Sequence, residues 1–140
     1  MMTENSAGPP PITRVTQIKE TCIYAVDLDM MRDFYAGKLG LEVISFVPGK
    51  HIFFRAGSSV LLCFNPEDSG KKASPPAHYA IGKYHFAFEV RQEDYQWQKS
   101  EVTKQGIAIT DEVTWKGGQK SFYFEDPAGN VLEVVPEGIW

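Results

Sequence analysis

The chain has 140 residues, of which 43% are hydrophobic, and a formal net charge of −4. This length suits a single globular domain that buries its own core. There is no basic stripe and no apolar segment long enough to span a bilayer, so we expect neither a nucleic-acid binder nor a membrane-embedded protein.

The first residues are polar and rich in proline. Residues 1–14 contain no apolar stretch of the kind found in a secretory signal, and we expect them to form a flexible lead-in. The two cysteines, Cys22 and Cys63, are too few for a disulfide scaffold, and both lie in predicted strands. They are therefore expected to be buried free thiols of a cytoplasmic protein.

The next part of the chain predicts a strand, a helix and three more strands. Val15–Val26 is rich in β-branched residues, which favours a strand. Asp27-Leu28-Asp29 offers a cap for the helix that follows, and Gly40 is placed to end it. The three further predicted strands, separated by glycine-containing turns, are Leu41–Val47, His51–Arg55 and Val60–Phe64.

The same order of elements then returns after a polar connection. Tyr84–Val90 predicts a strand, and Glu93–Lys104 predicts a helix that Gly106 ends. Three predicted strands close the chain: Ile107–Trp115, Lys120–Glu125 and Asn130–Val135. The order of elements, more than the identity of residues, indicates an internal duplication.

The duplication predicts an α+β fold made of two tandem βαβββ modules that form a curved mixed sheet around a cleft. We place the modules at residues 15–66 and 83–140, joined by a connecting loop at residues 67–82, within a single domain. The loop is longer than most connections in compact domains, which suggests either a linker or a functional loop.

Three polar residues interrupt largely apolar predicted strands: Glu20, His85 and Glu133. Buried carboxylates are rare unless they are paired or bind a metal, and two carboxylates beside an imidazole can ligate a divalent ion. Each residue also has a simpler interpretation. Either glutamate could face solvent on the open side of an antiparallel sheet, and the histidine could be satisfied by ordinary hydrogen bonds.

Three segments resemble the vicinal-oxygen-chelate superfamily, which contains glyoxalases, bleomycin-resistance proteins and extradiol dioxygenases. They are DLDMMRDFYAGKLGLEVI, which is similar to the first module of that family, YHFAFEV, which is similar to its H-x-A-F-x-V strand, and SFYFEDPAGNVLEVV, which is similar to its closing strand pair. The resemblance extends from Ile18 to Trp140 and is most specific in the last segment.

The resemblance implies a divalent-metal site built from Glu20, His85 and Glu133, because the family takes its ligands from the first and last strands of each module. The fourth ligand position of glyoxalase I falls near Leu62 here, which leaves a three-ligand set like that of extradiol dioxygenases and fosfomycin-resistance enzymes. Those enzymes usually carry a histidine where this chain has Glu20. Mn²⁺, Mg²⁺, Fe²⁺, Ni²⁺ and Zn²⁺ all remain compatible with two carboxylates and an imidazole.

Other residues are candidates for substrate binding. His51 and Arg55 share one face of a predicted strand, where the guanidinium could hold a carboxylate or phosphate, or could simply be a surface arginine. Trp115, Ser121 and Tyr123 are expected to line the cavity, although core packing explains such aromatic residues equally well.

The long connection carries His78, within a run that resembles a subgroup of uncharacterised bacterial members of the superfamily. The resemblance suggests that this loop folds over the cleft and that His78 is an acid or base, or a substrate contact. The alternative is an exposed loop histidine.

The leading functional hypothesis is a metal-dependent lyase, isomerase or dioxygenase that acts on a small oxygen-rich or aromatic substrate, with Glu20 or Glu133 as base. The alternative is a metal-free binding protein like the drug-sequestering, bleomycin-resistance members, and a third hypothesis is a dimeric scaffold with a vestigial cleft. The resemblance also implies a homodimer.

Overall fold

A computed structural model describes residues 8–11 and 13–140 of the chain. Of the predicted lead-in, residues 1–7 and 12 lie outside the described residues. The first strand begins at Glu20 and not at Val15, because residues 15–19 are exposed and do not extend the strand.

The first half of the chain contains four strands and two short helices. The strand β1 is followed by a helix, α1 (Leu28–Arg32), which continues as a π-helical segment over Asp33–Lys38. After the fourth strand comes the one-turn helix α2 (Pro66–Ser69). The strands are β1 (Glu20–Tyr24), β2 (Glu42–Val47), β3 (His51–Ala56) and β4 (Ser59–Phe64).

The second half has the same order. A single 3₁₀ turn, Gln92–Asp94, leads into helix α3 (Tyr95–Lys104). The strands are β5 (His85–Val90), β6 (Asp111–Thr114), β7 (Lys120–Glu125) and β8 (Val131–Pro136). Strand β6 is shorter than the predicted Ile107–Trp115, because its ladder with β7 extends only over four residue pairs.

Each half forms its own four-stranded mixed sheet. The strand orders are β1-β4-β3-β2 and β5-β8-β7-β6, and in each sheet the first strand runs parallel to the last while the other pairs are antiparallel. The predicted fold class of two βαβββ repeats is therefore confirmed. Strands β1 and β5 are edge strands of their sheets.

The limits of the first helical segment follow from its end residues. The side chain of Asp27 accepts a hydrogen bond from the backbone N–H of Met30 at 3.0 Å, so it caps the helix as predicted. Gly40 has a φ of 80°, which permits the sharp change of direction that stops the helix. Phe34 and Tyr35, side by side in the π-helical segment, are both buried.

The helices and the inner faces of both sheets share one hydrophobic core. Phe34 of the first half lies 6.3 Å from Phe124 of the second, measured between ring centroids. Helix α3 contributes Tyr95 and Val102, seven residues apart and so on the same face, whereas Trp97 is exposed.

The prediction of two buried thiols is half correct. Cys63 is fully buried, but Cys22 is exposed on the outer face of β1. Strand alternation puts these thiols on opposite faces, and only the inner face is covered by helices. Within the described ranges, no helix has the length and apolar character needed to cross a membrane.

Candidate functional site

The two sheets place Glu20 and His85 at equivalent positions on their outer faces. In the first sheet Glu20 is paired with Val60, and in the second His85 is paired with Val131. Both residues are the first of their strand, and both strands run parallel to the last strand of the sheet. The repeat proposed from the sequence is therefore present in the backbone register.

A second equivalent pair lies two residues further along. Cys22 is paired with Leu62 in the first sheet, and Ala87 is paired with Glu133 in the second. Leu62 thus occupies the position in the first sheet that Glu133 occupies in the second. The first sheet offers Glu20 alone at these ligand positions, whereas the second offers both His85 and Glu133.

His85 and Glu133 contact each other. Nε2 of His85 lies 3.1 Å from Oε1 of Glu133. The glutamate side chain is 9% exposed and the histidine side chain 51%. Tyr123 is paired with Glu133 in the ladder between β7 and β8, and its ring is stacked 6.0 Å from that of His85. The result is an imidazole and a buried carboxylate that meet at the surface of the second sheet.

The other imidazole nitrogen determines what this pair can do. Nδ1 of His85 lies 2.9 Å from the carbonyl oxygen of Val131. A carbonyl only accepts, so Nδ1 carries the proton, and in the neutral ring Nε2 has a lone pair that faces a carboxylate. That arrangement is repulsive unless Nε2 is protonated or a cation lies between the two groups. Histidines that bind metals commonly donate their other ring N–H to a backbone carbonyl, as His85 does here. The chemistry of His85 and Glu133 therefore suits a divalent ion bound between Nε2 and the carboxylate.

Glu20 does not join this pair within one copy of the chain. It is exposed and lies on the other sheet. Over residues 8–11 and 13–140, no three His, Cys, Asp or Glu side chains come together in a way that could hold a metal ion. One chain thus brings together two of the three predicted ligands.

His51 and Arg55 lie on the outer face of the first sheet, on either side of Phe53. The His51 ring stacks on that of Phe53 with centroids 3.9 Å apart, and Nε2 of His51 lies 2.9 Å from Oγ of Ser45. Burial lowers the pKa of His51, and the nearby charge of Lys72 lowers it further. Arg55 is half-buried and paired with Val60, the residue beside Glu20.

His78 is brought onto this same face by the long connection. Its backbone N–H donates to the carbonyl of Ser69 at 3.1 Å, and the Ser69 hydroxyl donates to the carbonyl of His78 at 2.7 Å. Nδ1 of His78 lies 2.9 Å from the hydroxyl of Tyr24, and its ring is 4.5 Å from that of Phe64. Sequence reasoning did not name Tyr24 or Phe64, although alternation along the strand places Tyr24 on the same face as Glu20.

Trp115, Ser121 and Tyr123 lie on or beside the outer face of the second sheet. Nε1 of Trp115 donates to the hydroxyl of Ser121 at 2.8 Å, and Ser121 is fully buried beneath it. Tyr123 is half-buried, and its pKa is raised mainly by burial. Ser121 and Trp115 thus form a polar and aromatic pair two residues along β7 from Tyr123, which is the ladder partner of Glu133.

A cavity of about 760 Å³ lies between the two halves, away from these residues. It is lined largely by inner-face residues such as Thr21, Leu61, Phe86 and Val134, and by none of the candidate site residues. The candidate chemistry therefore lies on the outer faces of the sheets and not in this cavity.

Comparisons with known proteins agree with this architecture. Residues 17–134 match the Glyoxalase/Bleomycin resistance protein/Dioxygenase superfamily. No curated protein sequence matches the chain. Among solved structures, a lactoylglutathione lyase from Agrobacterium tumefaciens is 33% identical to this chain and superposes on it with a TM-score of 0.86. The match covers 91% of this chain and 98% of the lyase chain.

Two other solved structures share the fold at lower identity. A glyoxalase/bleomycin resistance protein/dioxygenase from Nocardioides is 22% identical, with 93% of this chain and 89% of its own covered and a TM-score of 0.71. An integron cassette protein from V. cholerae is 23% identical, with 91% and 99% covered and a TM-score of 0.70. The match over most of the sequence, the 33% identity and the two βαβββ sheets lead to one conclusion: the chain belongs to the glyoxalase/bleomycin resistance protein/dioxygenase superfamily.

Proposed function

We propose that the protein is a divalent-metal-dependent enzyme of the lyase, isomerase or dioxygenase type that acts on a small oxygen-rich substrate. One observation carries the proposal. Nε2 of His85 and Oε1 of Glu133 lie 3.1 Å apart while the other imidazole nitrogen is held by a backbone carbonyl. A cation between them removes the repulsion between the lone pair and the carboxylate. The likeness to a lactoylglutathione lyase supports this function.

The proposed roles of the residues follow from their chemistry. A divalent ion bound here would polarise a carbonyl or stabilise an enolate of a chelated substrate. His85, Glu133 and Glu20 would hold the ion, and one of the two glutamates would take the proton from the substrate carbon. Glu20 suits that task because it is exposed, whereas Glu133 is buried beside Tyr123. Lyase and isomerase chemistry both need this proton transfer.

We further propose that two copies of the chain form a homodimer that completes the site. Glu20 and the His85–Glu133 pair lie on different sheets, and among the described residues β1 and β5 each have a partner strand on one side only. The apolar side chains of Val15 and Ile18 are 78% and 81% exposed just before β1. We infer that a second copy covers this region, with Glu20 of one chain facing His85 and Glu133 of the other.

Metal uptake of the purified protein tests the enzyme proposal. We expect about one Mn²⁺, Ni²⁺, Fe²⁺ or Zn²⁺ per chain in the wild type and a loss of about ten-fold or more in affinity for Glu133→Ala and His85→Ala, because each removes a ligand. Glu125→Ala, an exposed glutamate on the neighbouring strand, is the matched control and should bind as the wild type does. A wild type that takes up no ion would refute the proposal.

Mixing two inactive variants tests where the site lies. Glu20→Ala and His85→Ala homodimers would each have two damaged sites. When the two variants are unfolded and refolded together, half of the dimers should be mixed, and each mixed dimer has one intact site. About a quarter of all sites should therefore regain metal binding. A site contained within one chain would show no recovery.

The runner-up function, a metal-free protein that sequesters a drug-like molecule, is favoured by a different observation. The aromatic rings of His51, Phe53 and Phe64 lie together on the outer face of the first sheet. Aromatic surfaces of this kind bind planar molecules without any chemistry. Failure of metal uptake together with tight binding of a hydrophobic drug would support this function instead.

A further inference from the structure

The hydrogen bond between Tyr24 and His78 joins two distant parts of the chain. The Tyr24 hydroxyl lies 2.9 Å from Nδ1 of His78, and the two residues are 54 positions apart. The reciprocal backbone and side-chain bonds with Ser69 fix the loop on both sides of the His78 peptide. The imidazole is therefore held in place by its own hydrogen bond and by the anchoring of its backbone.

The surface beside this pair is aromatic. The His78 and Phe64 rings are nearly perpendicular, at 86°, with centroids 4.5 Å apart. Phe53 lies 5.3 Å from Phe64 and 3.9 Å from His51. All of these rings are half-buried, so the cluster retains aromatic surface in contact with solvent. A planar ring can stack on one such surface while its edge meets another.

The pair also offers one free polar atom. No hydrogen bond to Nε2 of His78 is found among the described residues. Burial raises the pKa of Tyr24, so its hydroxyl stays protonated at neutral pH. When that hydroxyl donates to Nδ1, Nε2–H is a donor, and when Nδ1–H donates to the hydroxyl, Nε2 is an acceptor. The pair can thus present either a donor or an acceptor to a ligand.

We propose that Tyr24 and His78 bind the hydroxyl or oxyanion substituent of a planar aromatic ring that packs against Phe64. The inference deepens the proposed function and rests on it in one respect, because it names the class of substrate as an aromatic or conjugated hydroxy compound. The site lies on the first sheet, whereas the His85–Glu133 pair lies on the second. Within one chain the ring site is therefore separate from the His85–Glu133 pair, and it lies on the same outer face as Glu20.

Phenol and cyclohexanol, titrated into the full-length ¹⁵N-labelled protein in EDTA, test the proposal. Each probe carries one hydroxyl on a six-carbon ring, and only phenol is planar and has an aromatic hydroxyl, the stronger hydrogen-bond donor. We expect phenol to shift the amide resonances of Tyr24, Phe64 and His78 and to bind about five-fold more tightly than cyclohexanol, the ratio expected for one aromatic contact. Equal binding, or shifts confined to the cavity between the halves, would overturn the proposal.

Variants separate the polar contact from the ring contact. Tyr24→Phe and His78→Ala should each weaken phenol binding about three- to ten-fold, the effect of losing one hydrogen bond. Tyr79→Phe is the matched control, because Tyr79 follows His78 in the chain and is 64% exposed, and it should bind as the wild type does. If Tyr24→Phe and His78→Ala both keep full affinity, the pair is a structural contact only.

Phe64→Leu tests the ring contact and should weaken phenol binding about five-fold. Trp97→Leu, which removes an aromatic side chain that is 62% exposed on helix α3, should have no effect.

The presence of EDTA keeps this outcome independent of the metal. If the wild type takes up no ion but binds phenol through Tyr24, the proposed enzyme fails and the ring site stands. If metal uptake depends on His85 while phenol and cyclohexanol bind alike, the ring site fails and the metal proposal stands.

Discussion

The hydroxyl of Tyr35, in the first half of the chain, donates a hydrogen bond to Oδ2 of Asp126, in the second half, at 2.7 Å. Tyr35 is fully buried and Asp126 is 5% exposed. The same carboxylate also accepts from the backbone N–H groups of Ala128 and Asn130 and from the Asn130 side chain. Both the buried charge and the buried hydroxyl are thereby satisfied, and the bond between them ties the two halves together.

We expect Tyr35→Phe to lower the free energy of unfolding by about 2 kcal/mol, because the substitution removes one hydrogen bond to a buried charge. The Asp126 carboxylate keeps its hydrogen bonds from Ala128 and Asn130. Urea unfolding followed by circular dichroism measures this. Tyr79→Phe, which loses only an exposed hydroxyl, is the matched control and should change stability by less than about 0.5 kcal/mol. Equal stability of Tyr35→Phe and the control would contradict the role given to this bond.

The two thiols should differ in reactivity. Cys22 is exposed, whereas Cys63 is fully buried and has a pKa raised to about 12, mainly by burial. Ellman's reagent should therefore titrate one thiol in the native protein and two in guanidinium chloride, and Cys22→Ser should remove the native reaction. Burial, with the charge of Glu20, also raises the pKa of Cys22 above 9.0, so its reaction rate should still be rising at pH 9. A rate that levels off near pH 8 would be inconsistent with that shift.

Much of the fold could be predicted because local signals and packing agree. Strand β7 has the predicted limits, Lys120–Glu125, and both helix-ending glycines, Gly40 and Gly106, have positive φ. Alternation along β1 places Glu20 and Cys22 on one face, and both are exposed there. These features depend on side-chain period and on backbone conformations that glycine adopts most easily.

The remaining features depend on contacts that no local pattern encodes. Alternation assigns Cys22 to a face, but it does not say which face the helices cover. Phe34 and Tyr35 lie in a π-helical segment and pack in the shared core with residues of both halves, which the local sequence does not reveal. The position of His78 depends on Ser69, nine residues earlier, and on Tyr24 across the sheet. The sequence suggested a functional histidine in the loop without indicating its partner.

His51 should make the free energy of unfolding depend on pH. Burial is the main reason that its folded-state pKa lies below the ordinary value of 6.5. The native state therefore binds its proton less readily than the unfolded chain does. The contribution of His51 to the free energy of unfolding is complete above the pKa that the residue has in the unfolded chain. It is lost as the pH falls from there toward the lower pKa of the folded state. In a urea-unfolding series between pH 7.5 and 5, His51→Gln should show a smaller loss of stability than the wild type.

An NMR titration gives the direct measurement. The midpoint of the His51 imidazole should lie below 6.5 in the native protein and near 6.5 in denaturing urea. A native midpoint above 6.5 would mean that a carboxylate such as Asp68, which favours the charged ring, outweighs burial.

The equivalence of Leu62 and Glu133 permits a test of the repeat itself. Both face the outer side of the last strand of their sheet, and Leu62 is 8% exposed. Leu62→Glu would place a carboxylate on the same outer face as Glu20 and supply the missing fourth ligand. In EDTA the variant should be about 3 kcal/mol less stable than the wild type, because the new carboxylate is buried without a partner.

Addition of Ni²⁺ or Mn²⁺ should then raise the melting temperature of Leu62→Glu part of the way back to that of the wild type, because an ion that binds only the folded state stabilises it by mass action. Leu62→Gln is the matched control, since it has the same shape without the charge and should recover much less. If the ion stabilises the two variants equally, position 62 does not face the metal, and the two outer faces do not meet at one site. Recovery specific to the glutamate would show that the duplicated backbone still carries a four-ligand geometry from which this chain has lost one member.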